Sequence, residues 1–207
     1  MTRTAVRYLY LARHAEASPD DGRLTEAGRR QAVLLGERLR RSPLSAVVHG
    51  PLPRAEETAR LVQGRLRGVE LKSSEAAGDY VPHVPERDEL PAESADFLLD
   101  RLAELPAGER EGGREQAEQA LAAFAGPAEG GAPRHELVVT HAFLIGWLVR
   151  DALDAPEWRW MGLNHANAGL TVIRYTPGRP ASLLLFNDTG HLPPRLRRTG
   201  QPREIDV

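Results

Sequence analysis

The chain contains no cysteine. Disulfides, thiolate nucleophiles and cysteine-ligated zinc are therefore excluded. Lys72 is the only lysine among many arginines, a composition that goes with GC-rich coding and makes a bacterial source the expectation. Charge of one sign is also missing: 29 acidic against 27 basic residues give a formal net charge of −2. Bulk charge thus directs the chain neither to nucleic acid nor to an anionic membrane. No apolar run approaches a membrane span, and no apolar leader region precedes a small-residue site. We expect a cytoplasmic protein with no nucleic-acid and no membrane partner. Internal repeats and low-complexity blocks are absent as well.

What is present is an ordinary globular mixture, 41% hydrophobic and 27% charged over 207 residues. That length carries one full core, so a single domain over 1–207 is expected. The first strand is read over residues 5–12, ending in Arg13-His14. A polar loop leads to a helix from Leu24-Thr25-Glu26 to Arg41, with Thr25 as N-cap and Ala27, Leu34 and Leu35 on one face. Gly28 inside that helix loses about 1 kcal/mol against Ala, which points to close packing on the sheet. Ser45 to His49 is a second strand, and Arg54 to Leu66 a helix burying Ala55, Ala59, Val62 and Leu66. Val69 to Ser73 is a third strand, followed by a proline-bearing loop over 74–95.

Helices are expected over 92–105 and 113–125, with a loop over 126–133 and a fourth strand from His135 to Thr140. The next helix, His141 to Leu153, is apolar nearly all round and reads as buried. A short helix over Pro156–Met161 precedes a closing hairpin of Ala168–Tyr175 and Ser182–Phe186, and the tail from Asp188 reads as loop. The alternation of strand and helix specifies an α/β protein: a three-layer α/β/α sandwich around a mostly parallel sheet, mixed because of the final hairpin.

Three strand-to-helix junctions carry chemistry. The first ends in Arg13-His14, the second opens with Arg54, and the fourth strand delivers His141 at the mouth of a helix. In a βαβ sheet these ends fall on one edge. Two arginines, two imidazoles and a helix N-terminus make an anion site suited to phosphate. A neutral histidine nitrogen can attack phosphorus, and a second imidazole can stabilise the charge that develops. The leaving alkoxide needs a proton, for which the 74–95 loop offers Glu75, Asp79 and Glu86.

Arg13-His14-Ala15-Glu16, the stretch Leu24 to Ala32 (LTEAGRRQA), Pro51 to Ala59 (PLPRAEETA) and Val138 to Ala142 (VVTHA) together resemble the histidine phosphatase superfamily, its phosphoglycerate-mutase-like branch. Asp188 to Pro194 (DTGHLPP) is similar to the C-terminal pattern of the small protein-phosphatase members. The resemblance runs over nearly the whole chain. It implies a phosphoglycerate-mutase-like fold, His14 as nucleophile, Arg13 and Arg54 as phosphate ligands, His141 completing the pocket, and Asp79 as proton donor and later base for water. It implies no metal and no cofactor. Ala15 stands where the family usually has Gly, Gly50 where a Ser often supplies a hydroxyl to phosphate, and Asp79 where Glu is commoner.

The expected function is a metal-independent phosphatase acting on a phosphorylated small molecule or phosphoprotein through phosphohistidine. A phosphoglycerate-type mutase and a silent phospho-ligand binding module remain as alternatives. Glu16 is read as a structural carboxylate, and His49, His83, His135 and His191 as structural or solvated. His165 and Asn167, just before the hairpin, are secondary candidates for the pocket wall. Trp147 is assigned to the core. Neither the leaving alcohol nor the oligomeric state is set by these motifs.

Overall fold

The computed structural model describes residues 3–105, 110, 112–197 and 199–201. A two-residue strand β1 (Thr4–Ala5) precedes β2 (Arg7–Arg13), helix α1 (Glu26–Leu39), β3 (Ala46–His49), α2 (Pro53–Gln63) and β4 (Glu70–Ser73). Then come 3-10 turns at Glu75–Ala77 and Arg87–Glu89, helices α3 (Ala95–Ala103) and α4 (Gly113–Phe124), β5 (Ala128–Glu129), β6 (Arg134–Thr140) and α5 (Ala142–Ala152). A 3-10 turn at Glu157–Trp160, strands β7 (Leu170–Tyr175) and β8 (Ser182–Asp188), and a 3-10 turn at Pro194–Leu196 close the chain.

Six strands form one sheet in the order β4-β3-β6-β2-β7-β8. The first four are parallel, while β7 and β8 pair antiparallel. The fold is thus α/β with a mixed central sheet. Alternation along the strands sends side chains to opposite faces. Leu9, Leu11 and Val138 join α4 and α5 in one core, with Trp147 among its buried residues. Ala12, Leu137 and Val139 join α1 and α2 in another. Adjacent strands β2 and β6 therefore feed helices on opposite faces. This is the arrangement that opens a crevice at the carboxyl ends of an α/β sheet.

Most elements fall where the pattern places them, with three differences. The 126–133 loop contains β5, which pairs with β1 as a small ribbon. Two-residue strands carry no periodicity to read. The 74–95 segment is packed rather than loose: the Tyr80 hydroxyl donates to the carbonyls of Ala76 (2.8 Å) and Gln116 (3.1 Å). The spacer between α3 and α4 lies largely outside the described residues. No helix among the described residues is long and apolar enough to cross a membrane.

The buried stripe of α1 also differs from the apolar count. It runs through Gly28, Gln31, Ala32, Leu35, Gly36 and Leu39, whereas Ala27 and Leu34 are only half-buried. Thr25 caps the helix, its side chain accepting from Gly28 N at 2.9 Å. A Cβ on Gly28 would lie 1.9 Å from the Glu16 carbonyl oxygen. The close approach is thus to the loop after β2 and not to the sheet. Gly28→Ala should therefore destabilise the protein by about 1–3 kcal/mol, opposite in sign to the usual helix gain. Urea unfolding of wild type and variant measures this, and a more stable variant would contradict the packing.

Candidate active site

The site forms where β2 and β6 end side by side. Their register pairs Arg13 with Thr140, and the ladder continues one residue further through His14 N to Thr140 O at 2.8 Å. His14 and His141 consequently face each other, with ring centroids 5.0 Å apart. His141 is the N-cap of α5 and makes no capping bond, so the first N–H groups of that helix remain without side-chain partners. Arg13, His14, Asp79, His141, Ala142 and Phe143 line a cavity of about 150 Å³.

The orientation of His14 is set by a single bond. Its Nδ1 lies 2.8 Å from the Ala15 carbonyl oxygen. A carbonyl only accepts, so Nδ1 carries the proton and Nε2 keeps its lone pair. Burial, the neighbouring His141, and the Arg13 and Arg54 cations push the His14 pKa down to about 3, against the Ala15 bond that raises it. The imidazole is therefore neutral at ordinary pH, the state a nitrogen nucleophile requires.

The loop that carries His14 is held from four sides. Thr58 accepts from Ala15 N (3.0 Å) and donates to the Arg54 carbonyl (2.7 Å). Gln31, fully buried, accepts from Glu16 N at 2.8 Å. Asn167 Nδ2 donates to the His14 carbonyl at 3.0 Å. Glu16 Oε1 accepts from the Thr25 hydroxyl at 2.7 Å, which ties it to the start of α1. Sequence reasoning singled out neither Thr58 nor Gln31. Their signal was available only as polar residues on an otherwise apolar helix face.

Asp79 sits between Arg54 and His141. Its Oδ2 is 2.7 Å from Arg54 Nη2 and 3.1 Å from His141 Nδ1. Burial pulls its carboxyl upward, but His141 and Arg54 together outweigh that and hold it well below the usual carboxylate range. Glu75 and Glu86 are exposed, and Glu86 is engaged in capping the turn at Arg87–Glu89. Of the three candidate acids, the structure brings only Asp79 to the cavity.

Arg13 Nη1 donates to the carbonyls of His165 and Gly200, both at 2.7 Å. Its Nε is buried and has no hydrogen-bond partner among the described residues. The same holds for Nε2 of His141. An unmet buried guanidinium donor beside a cavity is the mark of a site suited to an anion. At Gly50, a Cβ would lie 2.2 Å from the Ala77 carbonyl oxygen, so this backbone has no room for a serine.

The remaining histidines stand away from the cavity. His135 stacks on Tyr8 with centroids 4.4 Å apart, and the His49 Nδ1 bonds the Gly50 carbonyl at 2.8 Å. His165 packs edge-on against Phe186 at 5.1 Å. His191 lies beside Asp188, which pairs with Arg38. His83, Glu89 and Glu157 have ligand atoms within 4.8 Å of one another. Arg114 already meets them, 2.7 Å from Glu157 Oε2 and 3.1 Å from His83 Nδ1. A cation occupying that position does not fit a metal centre. The cluster ties the segment carrying Asp79 to α4 and to the turn at Glu157–Trp160.

Comparison with known proteins agrees with this geometry. The chain matches the model of the histidine phosphatase superfamily (branch 1) over residues 9–189. It is 30% identical over 198 residues to the mitochondrial serine/threonine-protein phosphatase Pgam5 of Caenorhabditis briggsae, covering 92% of this chain and 66% of that protein. The chain thus spans just under two thirds of that relative's length. The mycobacterial glucosyl-3-phosphoglycerate phosphatase superimposes with a TM-score of 0.61 at 25% identity, over 89% of this chain and 100% of its own. The phosphoglycerate mutase of Plasmodium falciparum shares the fold, with a TM-score of 0.61 at 17% identity over 91% and 95% of the two chains. With the ends of β2 and β6 meeting at one cavity, Arg54 paired to the Asp79 that lines it, and the family pattern covering most of its length, this chain belongs to the histidine phosphatase superfamily, branch 1.

Proposed function

We propose that the protein is a metal-independent phosphatase that transfers the phosphoryl group of a monoester to Nε2 of His14 and then to water. The observation that carries this reading is the tautomer of His14: a buried neutral imidazole with its Nδ1 proton bonded to the Ala15 carbonyl and its lone pair on Nε2. A binding module needs cations at this place but no such nucleophile. The names of the relatives, a serine/threonine-protein phosphatase and a glucosyl-3-phosphoglycerate phosphatase, support hydrolysis of phosphomonoesters.

In the first step the Nε2–P bond forms as the P–O bond to the leaving alcohol breaks. Arg13, Arg54, His141 and the first N–H groups of α5 bear the charge on the non-bridging oxygens. Asp79 gives a proton to the departing alkoxide. In the second step water attacks the phosphohistidine, Asp79 takes its proton, and inorganic phosphate leaves.

The low pKa of Asp79 in the free enzyme bears on how it acquires that proton. Arg54 and His141 keep it ionised. A bound phosphate takes over those same donors and adds negative charge nearby. The effect of burial, which favours the neutral acid, then prevails. Binding of the ester is thereby coupled to uptake of one proton, brought by the monoanionic ester or drawn from solvent.

Two outcomes are expected. His14→Ala abolishes EDTA-resistant hydrolysis of p-nitrophenyl phosphate. Asp79→Asn lowers kcat about 10²–10⁴-fold on an alkyl phosphate, and far less on p-nitrophenyl phosphate, whose leaving group scarcely needs the proton. Turnover that survives His14→Ala would overturn the mechanism. The pH profile carries an independent sign. His14 titrates at about 3, and Asp79 lies lower than ordinary carboxylates, so neither produces an acid limb in kcat/KM above about pH 5. Because binding takes up a proton, kcat/KM falls as pH rises through the second phosphate ionisation near about 6. A profile that instead rises through that range would contradict the coupling.

A further inference from the structure

We propose that Gly200, in the C-terminal segment, is a positioning residue for the phosphate-binding face of Arg13. The inference rests on the phosphate role of Arg13 given above. The Arg13 guanidinium offers five N–H donors in a fixed plane. Two carbonyls, those of His165 and Gly200, take Nη1 at 2.7 Å each. With two acceptors on the two hydrogens of Nη1, the plane can turn only by breaking one of these bonds. Nε and Nη2 form the other edge of the fork, and Nε is the buried donor without a partner. The two carbonyls thus fix the direction of the opposite edge, whose spacing matches two phosphate oxygens.

The residues around Gly200 are anchored to the nucleophile loop rather than to the nearby surface. Gln31 Nε2 donates to the Leu196 carbonyl (2.9 Å) and to the Thr199 hydroxyl (2.7 Å), while its Oε1 accepts from Glu16 N. Asn167 N donates to the Thr199 carbonyl at 2.9 Å, while its Nδ2 holds the His14 carbonyl. One amide and one carboxamide therefore each bond the tail with one atom and the catalytic loop with another. The tail arrives in register with Arg13 across 187 positions of sequence.

Gly200 is exposed and outside every helix and strand, yet its identity is constrained. Its φ is +77°, and an added Cβ would lie 2.5 Å from Arg13 Nη1 and 2.4 Å from Asn167 Oδ1. An exposed tail residue with that surrounding has no evident part in core stability. Its close neighbours are the Arg13 guanidinium and the Asn167 side chain.

The test uses the chain of residues 1–207, Gly200→Ala, a chain ending at Thr199, and Arg13→Ala alone and combined with each tail change. Affinity for inorganic phosphate is read by phosphorus NMR titration, beside KM and kcat on p-nitrophenyl phosphate and the melting temperature. Both tail variants should weaken phosphate binding and raise KM about tenfold, with an unchanged melting temperature. In the Arg13→Ala background the chain ending at Thr199 should have no further effect, because the group it orients is gone. Unchanged phosphate affinity in the tail variants would overturn the proposal. So would a loss on truncation that persists in the Arg13→Ala background, or one that merely tracks a lowered melting temperature. If Arg13→Ala itself leaves phosphate affinity intact, the phosphate role of Arg13 fails and this inference with it, whereas failure of the tail variants alone leaves the proposed function standing.

Discussion

The parallel pairing of β2 with β6 is the constraint on which the rest of the structure depends. Seven residue pairs in register, from Arg7 with Arg134 to Arg13 with Thr140, bring two segments some 130 positions apart to the same edge. A slip of one residue would turn every side chain to the other face. It would bury Tyr10 where Leu9 and Leu11 now pack, and it would carry His14 away from His141. The apolar alternation of the two strands, divided between two cores, resists that slip. Core packing and the geometry of the candidate site are thus set by the same ladder.

The second organising feature is electrostatic. Arg13, Arg54 and the two imidazoles gather around Asp79 in a partly buried cluster. Such a group is unfavourable without an anion. Asp79 is the anion the chain itself provides, bonded to Arg54 at 2.7 Å. The same field lowers the His14 pKa and keeps its lone pair free. In the proposed mechanism the phosphate of the ester competes with Asp79 for the same donors, so one arrangement serves both the ion pair and the acid.

The third feature is a belt of buried polar side chains. Thr58 from α2, Gln31 from α1 and Asn167 from the approach to β7 each bond the short loop after β2. The loop cannot obtain these bonds from the sheet, because it has already left the ladder. Buried amides without partners are costly, and these three side chains meet that requirement while fixing the backbone on either side of His14.

The sequence by itself determined the local pieces. Alternating and continuous apolar runs give the strands and α5, Thr25 gives the start of α1, and the RH, PLPR and VVTH stretches mark the three strand-to-helix junctions. It also carried the candidate set Arg13, His14, Arg54, Asp79 and His141, because chemistry of that kind depends on residue type. Only the tertiary structure decided the rest. Which of Asp79, Glu75 and Glu86 reaches the cavity depends on the path of a segment with no periodicity, fixed by Tyr80 and by packing against α4. Gln31 and Thr58 sit at positions where an apolar count expects nothing, since their partners come from elsewhere in the chain. The tail at Gly200 reads as plain loop in one dimension. Its contact with Arg13 spans nearly the whole sequence, and no local pattern encodes a hydrogen bond whose two ends meet only when the sheet has closed.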